Sequence, residues 1–203
     1  QDVFERYPIE LNDFETVIEG MEDDLYPVRN QTWDELRSYC YKVASAVGLI
    51  LIEIYGYEDR AARLHAIDLG IQMQLINVLR DINEDMERGR IYLPLEILDS
   101  HNITNDMLRS GDVANTLAWK GFMVEYLEVI KRHQSSADQL FGYLDGRARV
   151  QPEIMADAYT SILNEIVRRA GDVFSHPVRL SKLRKVMLGL RLSLRKLRAR
   201  IFA

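Results

Sequence analysis

The sequence predicts an all-α fold, and three observations carry that prediction. Five prolines, at 8, 27, 94, 152 and 177, are all that interrupt 203 residues. Between them, apolar residues recur every three or four positions, with little of the strict alternation that marks strands. Residues that start and stop helices stand at the ends of those periodic stretches.

The elements follow in order. A helix is expected over 12–25. Thr32 reads as an N-cap and Glu35 completes a capping box, opening a helix that runs to Tyr55 and stops at Gly56. Asp59 caps the next helix, which spans 60–88 before Gly89. Pro94 starts a short helix through Leu98. Thr104 and Asp112 read as further caps, the second opening a long helix over 112–144. Pro152 suits the first turn of a helix that reaches Ala170, with Gly171 behind it. A last helix covers 181–200. No repeat or linker divides the series, so residues 1–203 read as one helical bundle domain.

Composition narrows the class. With 47% hydrophobic and 28% charged residues, the chain is neither collagen-like nor low-complexity. One cysteine, Cys40, excludes an intrachain disulfide and a thiolate zinc cluster, and it points to a reducing compartment. The longest uncharged apolar run, Val43 to Ile52, is shorter than the roughly 20 residues that span a bilayer. No signal-peptide pattern opens the sequence, so a cytoplasmic location is expected.

The net charge of −5 hides an asymmetry. Nine basic residues and no acid lie between Arg179 and Arg200. The rest of the chain is strongly acidic, which argues against nucleic acid as a partner. Within the basic tail, Leu180, Leu183, Met187, Leu190, Leu194, Leu197 and Ile201 recur at helical spacing. Segment 179–203 therefore reads either as a final bundle helix or as a helix lying on an anionic membrane surface.

The segment from Gln74 to Pro94 carries the chemistry. Gln74, Asn77, Asp81 and Asp85 are spaced three, four and four apart, within an arc of about 80° on one helix face. An Asp-x-x-x-Asp pair on a helix is ordinarily a solvated face. This one rises from the apolar stretch Ile71–Ile82, and like charges at i, i+4 repel unless a cation bridges them. Oxygen ligands without nearby nitrogen or sulfur suit Mg²⁺, which is usually shared with substrate phosphates. Arg80, Arg88 and Arg90 stand ready for phosphate oxygens. The pattern reads as a magnesium–diphosphate site.

The stretch Asn77-Val-Leu-Arg-Asp81-Ile-Asn-Glu-Asp85-Met-Glu-Arg-Gly-Arg90-Ile-Tyr92-Leu-Pro94 resembles the second aspartate-rich motif of the squalene/phytoene synthase family. Upstream, Tyr39-Cys-Tyr-Lys-Val43-Ala44-Ser-Ala-Val47-Gly48 resembles a second family motif at the family's separation. Tyr159-Thr-Ser-Ile-Leu-Asn-Glu and Val178-Arg-Leu-Ser-Lys-Leu-Arg-Lys185 give a weaker third match. Ile52-Glu-Ile-Tyr-Gly-Tyr57 and the Val178–Lys185 stretch look most like bacterial presqualene diphosphate synthases.

The resemblance implies the isoprenoid synthase helical bundle and a prenyltransferase that condenses two farnesyl diphosphates head to head into presqualene diphosphate, a precursor in squalene, hopanoid or carotenoid synthesis. Phytoene synthase, using geranylgeranyl diphosphate, and a non-catalytic synthase-like assembly factor are the alternatives. It implies Mg²⁺, or Mn²⁺ in its place, held by Asp81, Asp85 and Asn77. Asp81, Asp85, Arg80 and Tyr92 would be catalytic. Gln74, Asn77 and Arg90 would meet substrate, and Tyr39, Val43, Ala44, Val47, Gly48 and Tyr159 would line the prenyl chain. No nucleotide motif is present, so no NADPH step is expected. The family's first aspartate-rich motif lies ahead of the point where this chain begins. The chain is therefore expected to be N-terminally incomplete, to have an open cavity and to be inactive alone. Glu22-Asp23-Asp24 reads as a solvated acidic patch. His65, His101, His133 and His176 show no ligand spacing, and Cys40 reads as a small buried hydrophobe.

Overall fold

In the computed structural model, residues 2–27, 29–146 and 148–201 are described, except for the side chains of residues 2, 3, 192 and 194–201. Twelve α-helices and no strands occur among the described residues. They are α1 (Asp2–Arg6), α2 (Leu11–Asp23), α3 (Trp33–Cys40), α4 (Ala46–Tyr55), α5 (Ala62–Arg80), α6 (Ile82–Glu87), α7 (Leu95–Ser100), α8 (Asn105–Ser110), α9 (Leu117–Ala137), α10 (Leu140–Tyr143), α11 (Val150–Arg168) and α12 (Lys182–Ile201). The expected all-α bundle is the fold found.

Helix α5 is the axis. It packs against α3, α4, α9, α10 and α11. Its apolar face (Ile71, Leu75, Ile76, Leu79) meets Trp119, Phe122 and Tyr126 of α9, all fully buried. The two buried polar groups on that seam are satisfied. Tyr126 donates to the Leu75 carbonyl at 3.1 Å, and the Trp119 indole donates to the Gly171 carbonyl at 2.9 Å.

The predicted Thr32 cap is present, its hydroxyl accepting from the Glu35 N–H at 3.2 Å. Glu35 reaches back to the Gln31 N–H rather than to that of Thr32. From Trp33 to Tyr55 the helix is continuous, but Tyr41–Ser45 is π-helical. This rod is long and apolar enough to cross a membrane by length and composition. Here it packs against α2 and α5, with Leu36, Cys40, Ala46, Leu49 and Ile52 buried. The π segment meets α5 at Gly70, where an added Cβ would stand 2.6 Å from the Ser45 Cα. Only glycine permits that approach. The buried Ser45 hydroxyl donates to the Ile67 carbonyl at 2.7 Å, tying the two helices together.

Two expected helices are broken. The 60–88 helix divides at Asp81 (φ −101°, ψ 12°) into α5 and α6. Neighbours on a regular helix point about 100° apart and do not face one another. The break lets Arg80 and Asp81 pair directly, Arg80 Nε donating to Asp81 Oδ1 at 2.6 Å. The 112–144 helix is also interrupted. Asp112–Asn115 forms a 3₁₀ turn, and the true cap is Thr116, whose hydroxyl accepts from the Trp119 N–H at 3.1 Å.

A charged cluster escaped the sequence reading. Arg63 of α5 pairs with Glu53 of α4, with Asp13 of α2 at 3.4 Å and with Glu10 at 3.6 Å. Asp13 and Glu53 are buried. Burial pushes the Asp13 carboxyl up against the pull of Arg63. The cluster links α2, α4 and α5.

Candidate active site

Small and apolar residues on α4 and the π segment leave a gap against α5 and α11. The gap is a cavity of about 250 Å³. Seven residues singled out from the sequence line it: Val43, Ala44, Val47, Gly48, Gln74, Asn77 and Tyr159. The reading missed Leu51, Tyr55, Met73, Met155 and Leu140, which also line it. Helical spacing could have found three of these, because Leu51 and Tyr55 continue the Val43–Val47 face at i+4 and Met155 precedes Tyr159 by four.

A second, charged cleft adjoins it. Arg80, Asp81, Asn83, Glu84, Ile162, Arg179 and Lys185 line a space of about 390 Å³. Asn77 and Arg80 are one turn apart on α5, and Tyr159 and Ile162 are one turn apart on α11. The groove between α5 and α11 therefore passes from apolar walls to a cleft lined by two arginines, a lysine and two carboxylates within one helical turn of α5. Pro177 stands at the cleft edge, and Arg179 supplies charge there.

Tyr39, Tyr92 and Arg90 do not line the apolar cavity. Tyr39 is expected on the prenyl wall, but it stacks instead on Tyr92, ring centroids 4.7 Å apart. Both hydroxyls donate to Asp24 Oδ1, at 3.1 Å and 2.7 Å. Arg90 donates to the Asp24 carbonyl at 2.5 Å. Asp24 is thus not the solvated acid expected from the sequence; it gathers residues from α3 and from the loop between α6 and α7. Burial pushes the Tyr39 hydroxyl far up, and it pushes Tyr92 up to about 12. Both remain neutral donors at ordinary pH.

The carboxylates differ from one another. Asp81 is held by Arg80, whose guanidinium it keeps firmly charged. Asp85 lies half-buried, and burial, then the charge of Asp81, raises it to about 6 against the opposing pull of Arg88 and Arg90. Asn77 Nδ2 donates to Gln74 Oε1 at 3.1 Å, which leaves the buried Asn77 Oδ1 without a hydrogen-bond partner among the described residues. The oxygens of Asn77, Asp81 and Asp85 are the donor type that a hard divalent cation takes. No three His, Cys, Asp or Glu residues converge among the described residues. The histidines serve structure: His133 meets Asp68 at 2.7 Å, His101 meets Glu125 at 3.3 Å, and His65 meets Ser136 at 2.9 Å.

A sequence model of squalene/phytoene synthases matches residues 1–184. A phytoene synthase of Arthrospira platensis is 33% identical over 219 aligned residues, covering 98% of this chain and 67% of that protein. A 15-cis-phytoene synthase of Synechocystis is 33% identical, covering 86% of this chain and 55% of that protein. The chloroplastic phytoene synthase of Daucus carota is 34% identical, covering 92% and 48%. The chain thus spans about half to two thirds of the length of these relatives. Among solved structures, a ligand-bound dehydrosqualene synthase superposes with a TM-score of 0.82 at 26% identity, over 98% of this chain and 68% of that one. A squalene synthase of Alicyclobacillus acidocaldarius shares the fold, with a TM-score of 0.76 at 23% identity over 82% of this chain and 63% of that one.

Proposed function

The chain belongs to the squalene/phytoene synthase family, and on that premise we propose that it forms much of the active site of a prenyltransferase that joins two farnesyl diphosphates head to head into presqualene diphosphate. The observation that carries this is the groove between α5 and α11. A polyprenyl diphosphate has a long apolar tail and a compact, highly charged head, and the groove offers both environments in that order. A cavity of about 250 Å³ lies just below the range of about 300–1,000 Å³ usual for ligand pockets, and farnesyl is the shorter of the two candidate chains. The curated phytoene synthase relatives favour the second reading, in which the longer geranylgeranyl diphosphate is condensed to phytoene.

Each residue has a part in this proposal. Val43, Ala44, Val47 and Gly48 hold the prenyl chain and exclude water, so an allylic cation is not quenched. Arg80, Arg179 and Lys185 receive the diphosphate, and Arg80 is steadied by Asp81. Asp81, Asp85 and Asn77 would hold Mg²⁺, or Mn²⁺ in its place, which when bound supplies Lewis-acid neutralisation of the leaving diphosphate. Gln74 orients Asn77. Tyr39 and Tyr92, fixed by Asp24, present neutral hydroxyls beside Arg90. The allylic C–O bond breaks with its electron pair leaving on the diphosphate, and the double bond of the second substrate attacks. Loss of a proton to the departed diphosphate closes the cyclopropane.

The test is a product assay with Mg²⁺, giving farnesyl and geranylgeranyl diphosphate separately and reading extracts by mass spectrometry. It uses this chain alone and the chain joined to the N-terminal segment of a full-length relative. Presqualene diphosphate from farnesyl diphosphate supports the proposal. Phytoene from geranylgeranyl diphosphate selects the second reading. No product in either form, on either substrate, overturns both.

A further inference from the structure

Four side chains tie down the backbone of the strap between α11 and α12, residues 169–181. The Trp119 indole of α9 donates to the Gly171 carbonyl at 2.9 Å. Asp172 Oδ1 accepts from the N–H groups of Phe174 and Ser175, both at 3.0 Å. Arg169 Nη1 donates to the His176 carbonyl at 3.0 Å. The fourth tie comes from the charged cleft. Asn83 Nδ2 donates to the Phe174 carbonyl at 3.0 Å, joining residues 91 positions apart. Of these anchors, Asn83 alone stands on α6, the helix that follows Asp81 and carries Asp85.

The strap supplies Val178, Arg179 and Leu180 to the lining of the cleft, and Asn83 lines it too. The cations around the cleft are not equally free. Arg80 is paired with Asp81. Arg184 and Arg191 of α12 are held against α11, Arg184 Nε donating to the Ser161 hydroxyl at 2.9 Å and Arg191 pairing with Asp157. Arg179 is exposed and has no ion pair among the described residues. The position of its guanidinium therefore depends on the backbone of the strap. A cation whose backbone is fixed beforehand loses less freedom when an anion binds, and so holds it more tightly. We propose that Asn83 is a positioning residue: its bond to the Phe174 carbonyl sets the strap against α6 and presents Arg179 to the diphosphate head of the substrate. The inference rests on the proposed function in taking the cleft as the diphosphate site.

The experiment is a double-mutant cycle on the whole chain, titrated calorimetrically with inorganic diphosphate in Mg²⁺. Arg179→Ala is expected to weaken binding about tenfold or more, the loss of a charged hydrogen-bond donor. Asn83→Ala is expected to weaken it about three- to tenfold. With Arg179 already removed, Asn83→Ala should cost almost nothing further, because it acts through that side chain. A residue that only supports the fold would lower the thermal midpoint and leave the two losses additive. Should Asn83→Ala fail to fold, Asn83→Ser, whose donor is too short to reach the carbonyl, takes its place in the cycle. Additive losses, or either single variant binding as the parent does, overturn the positioning role while the parent's own binding keeps the cleft as the diphosphate site. A parent that binds no diphosphate overturns both.

Discussion

Tyr39 and Tyr92 stack at an interplanar angle of 26° and share one acceptor, Asp24 Oδ1, although one stands on α3 and the other in the loop between α6 and α7, 53 positions apart in the chain. The stacking fixes the rings, and the shared carboxylate fixes the hydroxyl directions. Asp24→Ala removes the acceptor of both hydroxyls at once and leaves the Arg90 bond to the Asp24 carbonyl in place. A hydrogen bond to a charged group contributes about 1.5–3 kcal/mol, and about 1.4 kcal/mol is tenfold in rate. Turnover in the active enzyme is therefore expected to fall about ten- to a hundredfold, with Tyr92→Phe losing less. Unchanged kcat for Asp24→Ala would remove this trio from the reaction.

Asp85 makes the metal-free protein pH-dependent in a defined window. Its carboxyl is raised from 3.8 to about 6, first by burial and then by Asp81. The folded chain therefore keeps a proton that the unfolded chain releases. The stability Asp85 contributes is fully present below about pH 4 and is lost as pH rises through about 6. In chelator, Asp85→Asn should melt higher than the parent at about pH 7.5 and level with it at about pH 4. Added Mg²⁺ should raise the parent's midpoint at the higher pH and leave Asp85→Asn unmoved. A gap between the two melts that is the same at both pH values would contradict the assignment of the shift to Asp85.

The two halves of the site were unequally legible in the sequence. The cavity wall could be read because Val43, Ala44, Val47 and Gly48 lie close together on one rod, a local pattern. Tyr39 could not be placed by the same pattern. An unbroken helix would align 39, 43 and 47, but the π segment beginning at Tyr41 adds backbone per turn and takes Tyr39 out of that register. Asp24 looked solvated because its partners lie 15 and 68 residues away. The break at Asp81 has no glycine or proline to announce it; what identifies it is the Arg80–Asp81 pair that it permits.

Gly70 is where packing sets the cavity width. A Cβ there would stand 2.6 Å from the Ser45 Cα, backbone that cannot step aside. Gly70→Ala should push α5 off the π segment, with overpacking costing about 1–3 kcal/mol, or roughly 2–10 °C in a chain of this size. Gly48→Ala is the control. Its Cβ would meet the Ala66 carbonyl at 3.5 Å, an ordinary contact. It should melt near the parent and narrow the cavity it lines. Equal melts for the two variants would show that the helix approach at Gly70 relaxes freely.

Tyr55 stands at the apolar end of the groove, away from Arg80. Along the π segment and α4 the lining runs from Val43 to Tyr55, while along α11 it runs from Tyr159 back to Pro152. The polar end is thus at Asn77 and Tyr159, and the apolar end is at Tyr55, Ala66 and Pro152. A tail entering with its diphosphate at Arg80 meets Tyr55 last. Tyr55→Ala removes an aromatic ring at that end and should admit a longer chain. Contacts worth one or two methylenes discriminate by about 1–3 kcal/mol, so the ratio of kcat/KM for geranylgeranyl over farnesyl diphosphate should rise about tenfold or more. The fold should hold, because Tyr55 is half-buried and its helix ends at Gly56. Competition between the two diphosphates, with products read by mass, gives the ratio directly. A ratio that does not move would mean that chain length is sensed elsewhere along the groove, with Met73 and Met155 the next positions to vary.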